Sequence, residues 1–148
     1  MHPMILTQSC LTLDLARHCL NATLQKASEL NVRVSIAIVD VGGNLIHMAH
    51  MDGAPLQSRD IALNKALTAV GFGISTSQWQ SRLERCSTAV QRGLPAQPTI
   101  ALFGGGEPFR LTSQVIGAIG VSGASEAIDC ECALAAIARA TELLDLEQ

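Results

Sequence analysis

The sequence predicts an α+β domain in which helices pack on a five-stranded antiparallel sheet. Three observations carry that expectation. Segments with helical spacing of apolar residues are separated by short β-branched runs. Neighbouring runs are joined by turns too short for a parallel crossover, so they return as hairpins. Hydrophobic residues make up 48% of the chain against 16% charged, enough for one buried core and against disorder.

Residues 10 to 30 read as the first helix. Leu13, Ala16, Leu20, Leu24 and Ala27 recur at steps of three and four, Thr12 is a suitable N-cap, and Asn31 is a terminator. Val32 to Val41 reads as a strand with Val34, Ile36 and Ile38 on one face. The small residues Ser35 and Ala37 on the other face suggest a closely packed helix. Asp40-Val41-Gly42-Gly43-Asn44 is a tight turn, and Leu45 to Met51 returns as the second strand. Asp52-Gly53-Ala54-Pro55 breaks that strand, and Ser58 to Phe72 is helical.

Ser77 to about Val90 is a more polar helix, followed by a loop from Gln91 to Pro98. Thr99 to Phe103 reads as a short strand, Gly104 to Pro108 as a loop, and Phe109 to Leu111 and Gln114 to Val121 as strands turning at Thr112-Ser113. A last helix spans about Ser125 to Leu144. With no internal repeat or linker, residues 1–148 are expected to form a single domain with its core at about 10–143.

Composition narrows the function. The net charge is −3 and no Lys/Arg run exists, so the electrostatic footprint of nucleic-acid binding is missing. No apolar stretch is long enough for a membrane span. Five cysteines at irregular spacing argue against a disulfide framework and suit a reducing, cytoplasmic location. The low charged fraction hints at apolar surface buried between subunits.

Three ordered segments carry a resemblance. They are Val39-Asp40-Val41-Gly42-Gly43-Asn44-Leu45 with Met51-Asp52-Gly53-Ala54; Ile61-Ala62-Leu63-Asn64-Lys65-Ala66 with Thr68-Ala69; and Gly104-Gly105-Gly106-Glu107-Pro108 with Gly117-Ala118-Ile119-Gly120-Val121-Ser122-Gly123-Ala124 and Asp129. In this order and spacing, over residues 10 to 143, the chain resembles the GlcG/HbpS family, which includes the C-terminal domain of PduO-type cobalamin adenosyltransferases. The resemblance implies a profilin-like fold, homo-oligomers, and binding or slow breakdown of haem in some members. Two positions depart from the family pattern. His50 stands where an Arg usually precedes Met-Asp-Gly, replacing a fixed cation by a group that titrates near neutrality, and Thr112-Ser113 replaces the usual Asp-Gly of the last hairpin.

Several residues are candidates for a site. Gly104, Gly105 and Gly106 lack Cβ atoms, so their N–H groups can approach an anion or a propionate; a plain tight connection explains them equally. Lys65 shares a helix face with Thr68 and either pairs with a ligand carboxylate or snorkels to the surface. His47 and His50 lie on opposite faces of one strand, so they cannot chelate one metal together, but either can ligate haem iron alone. His50 is the better pocket candidate, being close to Asp52. His18 points about 140° away from Leu13 around its helix, toward solvent or a subunit interface, and is a haem ligand only if the cofactor binds there. Cys130 and Cys132 are two apart on a helix and do not face each other, so no metal centre is expected. Asp129 opens the last helix, either as a charge on its N-terminus or as a functional carboxylate. Gly120-Val121-Ser122-Gly123 lacks nucleophile-elbow spacing.

Together these place a ligand site of His50, Asp52, Lys65, Thr68, Gly104, Gly105, Gly106 and Asp129 in a shared cavity at one end of the sheet. Binding of haem or a related tetrapyrrole is the first expectation. An enzyme using acid–base chemistry on a small anionic metabolite is the second, and an oligomeric accessory protein of a cobalamin or diol-metabolising system is the third.

Overall fold

The computed structural model describes residues 2–146. The elements are α1 (Leu13–Glu29), β1 (Ser35–Asp40), β2 (Leu45–His50), α2 (Ser58–Phe72), a 3-10 turn (Thr76–Gln78), α3 (Trp79–Glu84), α4 (Thr88–Gly93), β3 (Gly106–Leu111), β4 (Gln114–Ser122) and α5 (Glu126–Leu146). The four strands pair antiparallel in the order β2-β1-β4-β3. Helix α2 packs on one face, and α1 and α5 pack on the other and against each other.

The two faces are built differently. Ile36, Ile38, Ile119 and Val121 join Ala16, Leu20, Ala133 and Ala136 in the larger core, under α1 and α5. On the α2 side, small residues bring helix and sheet together. A Cβ on Gly120 would meet the Ala62 carbonyl oxygen and lie 2.7 Å from the Ala66 nitrogen. The small-residue face read from Ser35 and Ala37 is therefore the face α2 occupies.

Local signals set most boundaries. The Thr12 hydroxyl accepts from the Leu15 N–H at 3.1 Å, capping α1, and Asn31 leaves the helix with φ 56°. In the β1–β2 turn the Asp40 carboxylate accepts from the N–H groups of Gly42 and Asn44, both at 2.9 Å. These bonds, the one from Asn44 foremost, hold its carboxyl below the ordinary range.

Three expectations need correction. The sheet has four strands, not five: Thr99–Phe103 forms no ladder. Thr99 sits at φ 64°, and the Ala101 N–H donates to the Thr68 hydroxyl at 2.9 Å, so this segment satisfies its backbone on α2. Pairing starts instead at Gly106, within the expected loop, and β3 tolerates Pro108 because it is an edge strand. The polar helix expected from Ser77 to Val90 is broken at Arg85–Ser87, where the Ser87 hydroxyl caps α4 by accepting from Val90 N–H at 3.3 Å. Leu13, assigned to the buried stripe of α1, is exposed, while Cys19 and Thr23 are buried. Among the described residues no helix is long and apolar enough to cross a membrane.

Candidate functional site

The three motif segments do meet at one end of the sheet, but they meet each other. Lys65, on the buried face of α2, is 1% exposed. Its Nζ donates to the Val121 carbonyl at 2.9 Å and to Asp129 Oδ2 at 3.1 Å, and lies 4.8 Å from the centre of the Phe103 ring. Asp129 uses its other oxygen to accept from the Ala124 N–H at 2.9 Å, which ties the β4–α5 turn to the pair. Burial pulls Lys65 below its ordinary pKa and pushes Asp129 above its own, and the attraction between them opposes both shifts.

The glycines lie over this pair because nothing larger fits. A Cβ on Gly105 would strike the Val121 carbonyl and sit 2.8 Å from Lys65 Nζ, and its φ of 126° is glycine territory. A Cβ on Gly106 would lie 2.5 Å from the Lys65 carbonyl oxygen. Two of the three N–H groups are already committed. Gly104 donates to Glu126 Oε1 and Gly106 to the Thr76 hydroxyl, both at 2.8 Å. Thr68 is also occupied: its hydroxyl donates to the Asn64 carbonyl at 2.7 Å while accepting from Ala101. Lys65 and the loop glycines line none of the three main cavities.

The Met51-Asp52-Gly53 corner closes the same end. The Arg33 guanidinium donates to the Asp52 carbonyl at 2.8 Å, and the Met51 N–H to the Val34 carbonyl at 3.0 Å. A Cβ on Gly123 would lie 2.6 Å from the Arg33 carbonyl oxygen, so the corner abuts the β4–α5 turn that Asp129 anchors. The side chains of this end therefore form a brace between α2, the glycine segment and the start of α5.

His50 is half-buried, with Nδ1 2.5 Å from Ser35 Oγ, which lies 2.9 Å from Ser58 Oγ. Ser58 donates its only hydroxyl hydrogen to the Pro55 carbonyl at 2.5 Å. Ser35 must then donate to Ser58, so the proton of the remaining bond comes from His50. The chain of hydroxyls fixes His50 as the Nδ1–H tautomer, with its lone pair on Nε2 when neutral. His47 pairs in register with Ile38 and so takes the opposite face, toward α1, as its spacing predicts.

His18 is set apart from all of these. Its side chain is 47% exposed, and its Nε2 lies 3.9 Å from Asp14 Oδ1. It lines a cavity of about 260 Å³ where the start of α1 meets the end of α5, together with Cys10, Leu11, Leu15, Leu143 and Leu144. This is the one cavity among the three that a histidine lines.

Cys130 and Cys132 face apart, as their spacing predicts: Cys130 Sγ abuts Gly104 and Cys132 is in the main core. The residues that complete the brace and the His50 relay, namely Phe103, Glu126, Thr76, Ser35 and Ser58, escaped the sequence reading. Only the glycine run announced that something must approach closely there, and nothing in the sequence told which side chains would do so.

A four-stranded antiparallel sheet held between α2 and the α1–α5 pair, with a glycine segment clamped over a buried Lys–Asp pair, defines a small α+β domain with a histidine-lined cavity on its helical face. The chain belongs to the HbpS-like family: the model for haem degrading protein HbpS-like proteins matches residues 11–138. It is 39% identical to the 15.0 kDa protein of the dhaT-dhaS intergenic region of Citrobacter freundii, over 81% of this chain and 91% of that one. Protein ORFY of Klebsiella pneumoniae superposes with a TM-score of 0.85 at 35% identity, covering 95% of this chain and 97% of that one. The PduOC:heme complex superposes with a TM-score of 0.81 at 29% identity, covering 88% and 94%.

Proposed function

We propose that this chain binds haem or a related tetrapyrrole, with His18 as an axial ligand. The observation that carries the reading is the position of His18: an accessible imidazole at a cavity with one wall of Leu11, Leu15, Leu143 and Leu144 and a polar side of Thr12 and Asp14. An imidazole nitrogen supplies the iron bond and leucine side chains suit the faces of a flat apolar macrocycle. Cys10, on the same cavity, is the second candidate ligand. His50 is the lesser candidate, because its ring is half-buried and lines none of the three cavities. The solved haem complex of PduOC, a related fold, supports the choice of ligand.

At about 260 Å³ the cavity is smaller than the roughly 300–1,000 Å³ of sites that engulf a ligand. A tetrapyrrole seated there keeps part of its surface outside. A second copy of the chain would cover that part, which is why we expect a homo-oligomer; the exposed Met4, Ile5 and Leu6 of the N-terminal arm offer apolar surface for it.

Hemin added to the purified chain is expected to give the shifted Soret band of histidine-ligated iron. His18→Ala should lose it and His50→Ala should keep it. A band that survives in His18→Ala and disappears in His50→Ala would move the ligand to β2.

A further inference from the structure

On the far side of the α5 C-terminal turn lies a larger cavity, about 550 Å³, between edge strand β3, the 3-10 turn and α5. We propose that it is a second binding site, for a compact molecule carrying one ammonium group on a short hydrocarbon body.

The central observation is Glu107. It is 7% exposed and lines the cavity. The Ser75 hydroxyl donates to its Oε2. Its Oε1 has no hydrogen-bond partner among the described residues and is not sealed from solvent, and the residue that carries it lines the cavity. A nine-tenths-buried carboxylate with one oxygen unspent is costly unless a donor reaches it. Burial raises its pKa, as expected for a carboxyl lacking a full set of donors.

Arg110 lines the same cavity and its charge partly offsets the effect of burial on Glu107, but it makes no hydrogen bond to this oxygen. The Arg110 guanidinium donates to the Gly73 carbonyl. A second carboxylate, Asp145, stands on the exposed rim, so the lining carries two carboxylates against one cation, Arg110. Ile137, Ala140 and Leu144 of α5 form an apolar wall for a hydrocarbon chain. The volume lies within the usual range for small-molecule sites. An ammonium presents three N–H donors, and a charge-assisted bond to a desolvated carboxylate is the strong kind.

This site and the His18 cavity share Leu144 alone, and Glu107 lines only the larger one. The inference therefore stands independently of the haem reading. The test is a two-dimensional amide NMR titration of the intact chain with n-butylammonium, n-butyrate and n-butanol as probes. The expected result is a saturable shift at amides of residues 107–112 and 137–145 with butylammonium, which binds about tenfold or more tightly than either isostere. Glu107→Gln, which keeps the shape and the Ser75 bond, should erase that preference, while His18→Ala should keep it. Equal binding of butanol or butyrate, shifts elsewhere, no saturation, or a preference that survives Glu107→Gln would each overturn the assignment.

Discussion

Lys65→Met is expected to destabilise the fold by about 3–5 kcal/mol, the cost of leaving a buried charge without its partner. The substitution keeps the length and apolar stem of the side chain but removes the donor to Val121 and the cation beside Asp129. Asp129 then remains buried with one oxygen anchoring Ala124 and the other unpaired. The sign of the pH dependence follows. Without the lysine, burial of Asp129 is opposed only by the backbone hydrogen bonds from Ala124 and Gly123, and its folded-state pKa rises further above 3.8. A carboxyl whose pKa is raised on folding favours the folded state at low pH and loses that benefit as pH rises through the folded value. The loss in Lys65→Met should therefore be smallest below the ordinary carboxylate pKa and grow toward neutrality. Adding Asp129→Asn, which keeps an acceptor for Ala124, should recover part of the loss, so that the double variant costs less than the two single changes summed. Urea unfolding of the four proteins at two pH values measures all of this. Additive costs with no pH dependence would mean that the pair is not a coupled unit.

Gly120→Ala should be nearly as severe, at about 3 kcal/mol, the upper end of overpacking costs. The added methyl would enter the backbone of α2 at Ala62 and Ala66, and a helix backbone cannot rotate aside as a side chain can. The helix would have to lift from the sheet and loosen its contacts through Val39, Ala66, Ala69 and Ala118. For a chain of this size that corresponds to a fall in Tm of roughly 6–12 °C. Gly71→Ala is the matched control. Nothing lies within 4 Å of a Cβ there, and the residue is within α2, so alanine should be neutral or stabilising by up to about 1 kcal/mol. A tolerated Gly120→Ala would show that the helix has slack against the sheet.

These two positions also mark how far the sequence could be read. Alternation in 34–39 and the Asp40–Asn44 turn made the first hairpin plain, because turn chemistry is local. The small residues of β1 announced a close helix. Thr99–Phe103 misled, since a β-branched start and an aromatic end look the same whether the backbone pairs with a strand or with a threonine hydroxyl on a neighbouring helix. The convergence of Lys65, Asp129, the glycines and the Met51 corner was legible as a gathering of residues. Whether it left a cavity was not, because the acceptors that fill it, Glu126 and Thr76, come from positions with no periodic or motif signal. His18 was legible as an accessible histidine, but its cavity depends on the end of α5, more than a hundred residues away.

The proposed tetrapyrrole site lies where α1 meets the end of α5, and the Lys65 end of the sheet is a brace. Paramagnetic broadening of amide signals by bound ferric haem reports that place directly. The account predicts broadening centred on residues 10–18 and 143–144, with residues 64–66 and 104–106 sharp. Broadening centred on the glycine segment and the lysine helix, with residues around 18 unaffected, would contradict it.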